Sequence, residues 1–183
     1  MSGSNPYEWF QDLVGQVPEL VQPFVVALAG AIPYIEGEGS AALGVFAGIH
    51  PVVAGISGAV GNIIAVVLVV LLSSRARATA LARRSRRPGA AALSTDEQAH
   101  ESERAEKQSN GHKRLRRLLV RFGVPGASLL GPLALPTHLT AATLVATGVS
   151  KRWVILWQVI AIVLWAALLT LAATGLVTVI EAE

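Results

Sequence analysis

Apolar residues along this chain fall into long blocks on either side of one polar region. Residues 51–72 and 153–179 are predominantly apolar stretches of 22 and 27 residues without a charge. As helices they reach about 33 and 40 Å, against a bilayer core of about 30 Å. Each predicts a spanning helix, the second with some tilt. The other apolar stretches are interrupted. Between 17 and 50 the breaks are Pro33, Gly37 and Gly39, and the piece 40–50 makes only about 16 Å of helix. Between 118 and 150 the breaks are Pro125-Gly126, Gly131-Pro132 and Pro136, with a second arm, 138–149, of about 18 Å. Neither stretch crosses in one piece. Each predicts a pair of short helices.

Composition agrees with a bilayer as solvent. Hydrophobic residues make up 52% of 183, charged residues 15%, and the mean hydropathy is +0.54. A soluble domain carries about 25% charged residues. There is no cysteine, which excludes disulfides and thiolate chemistry. The histidines His50, His100, His112 and His138 show no ligand spacing, so neither a metal nor any other cofactor is expected. The N-terminus lacks a basic region followed by an apolar segment, and no cleaved signal peptide is expected.

Charge distribution sets the expected topology. The net charge is +3, yet all 15 Lys and Arg residues lie between Arg75 and Arg152. Twelve fall in 75–117; Arg121, Lys151 and Arg152 follow. The positive-inside rule places the loop 73–117 and the Lys151-Arg152 turn in the cytoplasm, with both acidic termini outside. Topology accounts for the arginines, and no nucleic-acid partner is expected. Stretch 118–150 then has both ends inside, and 17–50 both ends outside. Each reads as a re-entrant hairpin, entered from opposite faces. The expected order is an outer segment 1–16, hairpin 17–50, span 51–72, loop 73–117, hairpin 118–150, and span with outer C-terminus 151–183. This is an all-α integral membrane protein of the inner membrane, built as an inverted repeat. An offset of 100 supports the repeat: Ala41, Ala42, Val45 and Gly48 match Ala141, Ala142, Val145 and Gly148. It sets Glu38 opposite His138 and Ser40 opposite Thr140.

The chemistry gathers at the hairpin tips, with Glu36 and Glu38 on one and Thr137, His138 and Thr140 on the other. A carboxylate at membrane depth costs roughly 2.5–3.5 kcal/mol and is seldom kept without a use. Burial disfavours the charged form, which makes the pair a candidate proton site, with His138 as pairing cation or proton acceptor. The bland alternatives are a solvated surface turn for 36–39 and a neutral histidine bonded to backbone. Asn62 and Gln158, inside the spans, line a cavity or form an interhelical hydrogen bond. Gly44, Gly48, Gly55, Gly58 and Gly61 read as small-residue packing faces. "GISG" at 55–58 is similar to the GxSG of rhomboid proteases, but in a glycine-rich span packing is the simpler reading. In the loop, Thr95–Gln98 is a capping-box pattern for a short helix, and "KRLRRLLVRF" at 113–122 suits anionic lipid.

"GAIPYIEGEGSAALGVFAG" with the Gly61-Asn62 pair, and "PGASLLGPLALPTHLTAATLVATG" in the second half, resemble the bacterial small multidrug export proteins, a compact relative of the DedA/VTT membrane proteins. The resemblance implies opposed re-entrant hairpins and proton-dependent transport or translocation of a lipid carrier. It likens Glu38 to the glutamate of the first DedA hairpin and Arg121, in "RFGVPG", to the first arginine of the second. The second arginine is absent; Ala127 and Ser128 occupy its region. The expected function is a small proton-coupled secondary transporter or exporter, not an enzyme. Its expected partners are membrane lipids, protons, a small-molecule or lipid substrate, and a second copy in a homodimer. The alternatives are a DedA-like translocase or scramblase for phospholipid or undecaprenyl carrier, and a non-transporting membrane interaction or assembly factor.

Overall fold

The computed structural model describes residues 14–85 and 110–182, and among these every regular element is helical. The expected helix near Thr95 and most of the 1–16 segment lie outside the described residues. In order the elements are α1 (Gln22–Gly30), α2 (Glu36–Phe46), α3 (Pro51–Ser85), α4 (Asn110–Leu130), a single 3-10 turn (Gly131–Leu133), α5 (Thr137–Ala146) and α6 (Lys151–Glu181). Helices α3 and α6 are each long and apolar enough to cross a membrane.

The long helices begin close to where the apolar blocks begin, but α3 runs well past residue 72. Arg75, Ala76, Arg77, Ala78, Ala80, Leu81 and Ala82 are strong helix formers, so charge ends the apolar stretch without ending the helix. Polarity and helicity are separate variables here. Helix α4 kinks at Gly123, whose φ of 67° and ψ of −164° are not helical. Pro125 lies just beyond, in the first turn of the new piece, where a missing N–H breaks no bond.

Two turns repeat at an interval of 100. After α2, Gly48 N–H donates to Val45 O (3.0 Å) and Ile49 N–H to Gly44 O (3.0 Å). After α5, Gly148 N–H donates to Val145 O (3.0 Å) and Val149 N–H to Leu144 O (3.2 Å). Both glycines have positive φ, 84° and 97°, as this helix-ending motif requires. Gly48 is therefore a turn residue and not part of a packing face; a Cβ there would touch nothing within 4 Å.

Helices α3 and α6 pack antiparallel. One apolar core joins Ala54 and Ala173 to Val26, Ala29 and Val45 of the first short pair. The other joins Val66, Val70, Val154 and Ile162 to Ala127, Ala141 and Leu144 of the second. The first pair lies against α3 almost backbone to backbone. A Cβ on Gly61 would overlap the Ala27 carbonyl, and one on Gly58 the carbonyl of Gly37. Here the small-residue packing is present. At the opposite end of α3, the Arg77 guanidinium lies beside Gly148, 3.0 Å from where its Cβ would stand.

Candidate functional site

The two short-helix pairs meet at the starts of their second arms. Helix α5 begins after Pro136, and α2 after Ile35; neither start has a side-chain cap of its own. Four N–H groups at any helix start lack an intrahelical acceptor, and that end carries partial positive charge. Glu36 supplies the missing cap for α5 from the other half of the chain. Its Oε1 accepts the Thr137 backbone N–H at 2.5 Å and the Thr137 hydroxyl at 2.8 Å. His138 Nδ1 stands 3.5 Å from the same oxygen. Glu36, Thr137 and His138 are all buried.

Asn62 of α3 completes the cluster. Its Oδ1 lies 3.3 Å from Thr137 Oγ1, and its Nδ2 has no partner among the described residues. Thr137 has one hydroxyl proton and two acceptors. Rotating the amide by half a turn lets Nδ2 donate to Thr137 while Thr137 donates to Glu36, which serves both contacts. Asn62 is eleven residues past Pro51 and ten before Leu72, with about 15–16 Å of helix on either side. The cluster sits level with the middle of the apolar stretch.

Glu36 is held in a strained backbone. It has φ of 56° and Tyr34 has φ of 77°, both left-handed and neither a glycine. Such residues cost of order 1–3 kcal/mol each and persist where their surroundings fix them. The Thr137 bonds are such a fixture.

Beside the cluster lies a cleft of about 360 Å³ between the two turns. Tyr34, Glu36 and Glu38 form one wall, Pro132, Leu133, Leu135 and Pro136 the other, with Leu169 of α6 behind. Among the described residues no Lys or Arg lines it. Glu38 is half-buried, and its Oε2 is shielded from solvent without a hydrogen-bond partner among the described residues. No family model, curated protein or solved structure matches the chain. The site stands on its own geometry.

The residues singled out from sequence are not all brought together. Glu36, Thr137, His138 and Asn62 form the cluster, and Glu38 lines the cleft beside it. The residue beside His138 is Glu36, not Glu38 as the offset of 100 sets it. Thr140 is buried one turn along α5 and bonds the Leu135 carbonyl at 3.5 Å, so it shapes the turn. Arg121 is exposed before the Gly123 kink, its guanidinium 5.3 Å from the Phe122 ring centroid, and takes no part in the cluster. Gln158 is buried against Ser128 at 3.5 Å, an interhelical contact. Sequence reasoning missed Tyr34 and the role of the Thr137 N–H. The uncapped start after Pro136 was the available signal.

Proposed function

We propose that this chain is a small secondary membrane transporter, coupled to protons, in which two opposed re-entrant hairpins meet at a midplane site. The observation that carries the reading is the Glu36 carboxylate. It links the starts of two short helices across 101 positions, level with the middle of an apolar helix. Broken helices meeting in this way are the usual frame of a transporter's binding site. Two further facts support an inverted repeat: the matching glycine turns at 48 and 148, and the matching starts of α3 and α6 at 51 and 151. On this reading α1–α2 and the part of α4 after Gly123 with α5 are the re-entrant pairs, and the basic central region is cytoplasmic.

The two carboxylates divide the work. Glu36 is the latch between the halves, since its Oε1 is already committed to Thr137. Glu38, half-buried in the cleft wall and free of Thr137, is the group that exchanges protons and meets substrate. The likeness to the small multidrug export and DedA/VTT proteins points the same way. The missing second arginine, and a cleft without a basic residue among the described residues, weigh against recognition of a lipid phosphate.

The test is reconstitution into vesicles loaded with a pH-sensitive dye. Organic cations, organic anions and fluorescent phospholipids are applied in turn across a pH gradient. Transport predicts that at least one soluble class moves protons and that Glu38→Gln abolishes the movement. Rapid flipping of the labelled phospholipid, with no proton movement for any soluble probe, would replace this reading with a translocase.

A further inference from the structure

We infer that Arg77 of α3, with Lys151 and Arg152 of α6, holds the headgroup of an anionic phospholipid. The inference takes from the preceding reading only that α3 and α6 cross a bilayer.

The sequence sets these residues at one level. Lys151 and Arg152 immediately precede the apolar stretch of α6, and Arg75 and Arg77 follow the one that ends at Leu72 in α3. Folding brings the two groups together. The Arg77 guanidinium lies beside Gly148, three residues before Lys151, and Arg77, Lys151 and Arg152 are all exposed. Trp153, 45% exposed, comes next, its ring edge-on to Trp157 at 5.8 Å. Indole rings gather at the headgroup level of a bilayer.

The turn itself does not need this charge. Its counterpart at Gly48 has the same left-handed glycine and the same pair of backbone bonds, yet nothing stands within 4 Å of a Cβ placed there. His50 and Pro51 follow in place of Ser150 and Lys151. The arginine and the basic pair are additions to one turn of two.

The chain carries too few acids to neutralise this end. Between residues 39 and 180 there are 15 Lys and Arg against five Asp and Glu, the five falling between Asp96 and Glu106, outside the described residues. Were each of the five paired with a cation, ten cations would stay unmatched. A second copy brings the same surplus and is repelled. The phosphodiesters of the surrounding leaflet are the anions that stand at this level. A guanidinium meets their oxygens with paired N–H donors, and basic groups where spanning helices emerge suit anionic headgroups. One headgroup held there ties the end of α3 to the turn between α5 and α6, so binding should stabilise the fold.

The full chain is unfolded by heat in detergent micelles with phosphatidylglycerol, phosphatidylcholine or inorganic phosphate added. Phosphatidylglycerol should raise the midpoint by about 5 °C, as a ligand of the folded state does. The other two should leave it unchanged. Arg77→Gln should remove at least half of the rise, as should Lys151→Gln with Arg152→Gln. Arg83→Gln, exposed farther along α3, should keep it. Arg77→Lys keeps the charge without the paired donors; it should lose part of the rise, and it carries the test if the glutamine variant does not fold. No rise with phosphatidylglycerol, or an equal rise with phosphatidylcholine, overturns the site. A rise with inorganic phosphate alone makes it a free-phosphate site, and equal losses from every variant make it a diffuse field; either result overturns it. The chain's own acids hold the patch instead if the rise appears only in Asp96→Asn combined with Glu97→Gln, Glu101→Gln, Glu103→Gln and Glu106→Gln. None of these measurements involves transport, so the proton assay stands or falls separately.

Discussion

The carboxylate of Glu36 caps the helix that begins at Thr137, across a sequence separation of 101 residues. A helix start buried without a side-chain cap of its own is thus completed by the other half of the chain. Removing Glu36 should be felt in both halves.

Glu36→Ala should lower the melting temperature in detergent clearly more than Glu36→Gln. The alanine leaves the Thr137 N–H buried and unpaired, and a hydrogen bond to a charged group is worth about 1.5–3 kcal/mol. The glutamine keeps an acceptor oxygen in place. Equal melting temperatures for the two variants would show that the cap is not structural.

Thr137→Val should keep the backbone N–H bond and lose both hydroxyl contacts. We expect folded protein with about ten-fold slower proton movement in vesicles, recovered by Thr137→Ser. If the valine variant works at the original rate, the Asn62–Thr137–Glu36 chain has no part in function.

Gly61→Ala should be severely destabilising, because the added Cβ meets a backbone carbonyl and not a side chain that can turn away. Overpacking of this kind costs about 1–3 kcal/mol or more. Gly175→Ala is the matched control: a Cβ there touches nothing within 4 Å, and alanine is the better helix former. Thermal unfolding of the pair, side by side, checks the contact.

Single cysteines fix the topology. Ser150→Cys should react with a membrane-impermeant maleimide only after the membrane is opened, and Ala182→Cys should react from outside at once. Both positions are exposed, so access and not burial decides the outcome. Outside labelling at 150 would remove the second re-entrant pair.

Some of this arrangement is legible in sequence for plain physical reasons. The breaks at Pro33, Gly37 and Gly39 and at Pro136 leave too few residues before each continuous apolar block for a spanning helix, so the starts of α3 and α6 and the shortness of α2 and α5 follow from pattern. The turn at Gly48, read from sequence as a packing glycine, does not. The site is legible only to the level of which turns carry it. Glu36 and Glu38 are two positions apart at a helix start, so they point about 200° away from one another, and only one can face α5. Which one depends on the phase set by the turn. That turn uses left-handed Tyr34 and Glu36, where sequence rules look for glycine or asparagine. The length of α3 was hidden differently, because arginine marks the end of an apolar block yet prolongs a helix. Arg121 was drawn in by motif, and the Gly123 kink leaves it exposed.

Where Gly61 meets the Ala27 carbonyl, two main chains touch with no side chain between them to rearrange. The α1–α2 pair has no rotamer with which to slip along α3; it stays, or it lifts away whole. The second pair is joined to the basic part of α4 through Gly123, a residue free to swivel. If the chain is the transporter proposed above, motion that alternates access around Glu38 should therefore be lopsided, with an anchored first half and a second half that swings about its glycine pivot.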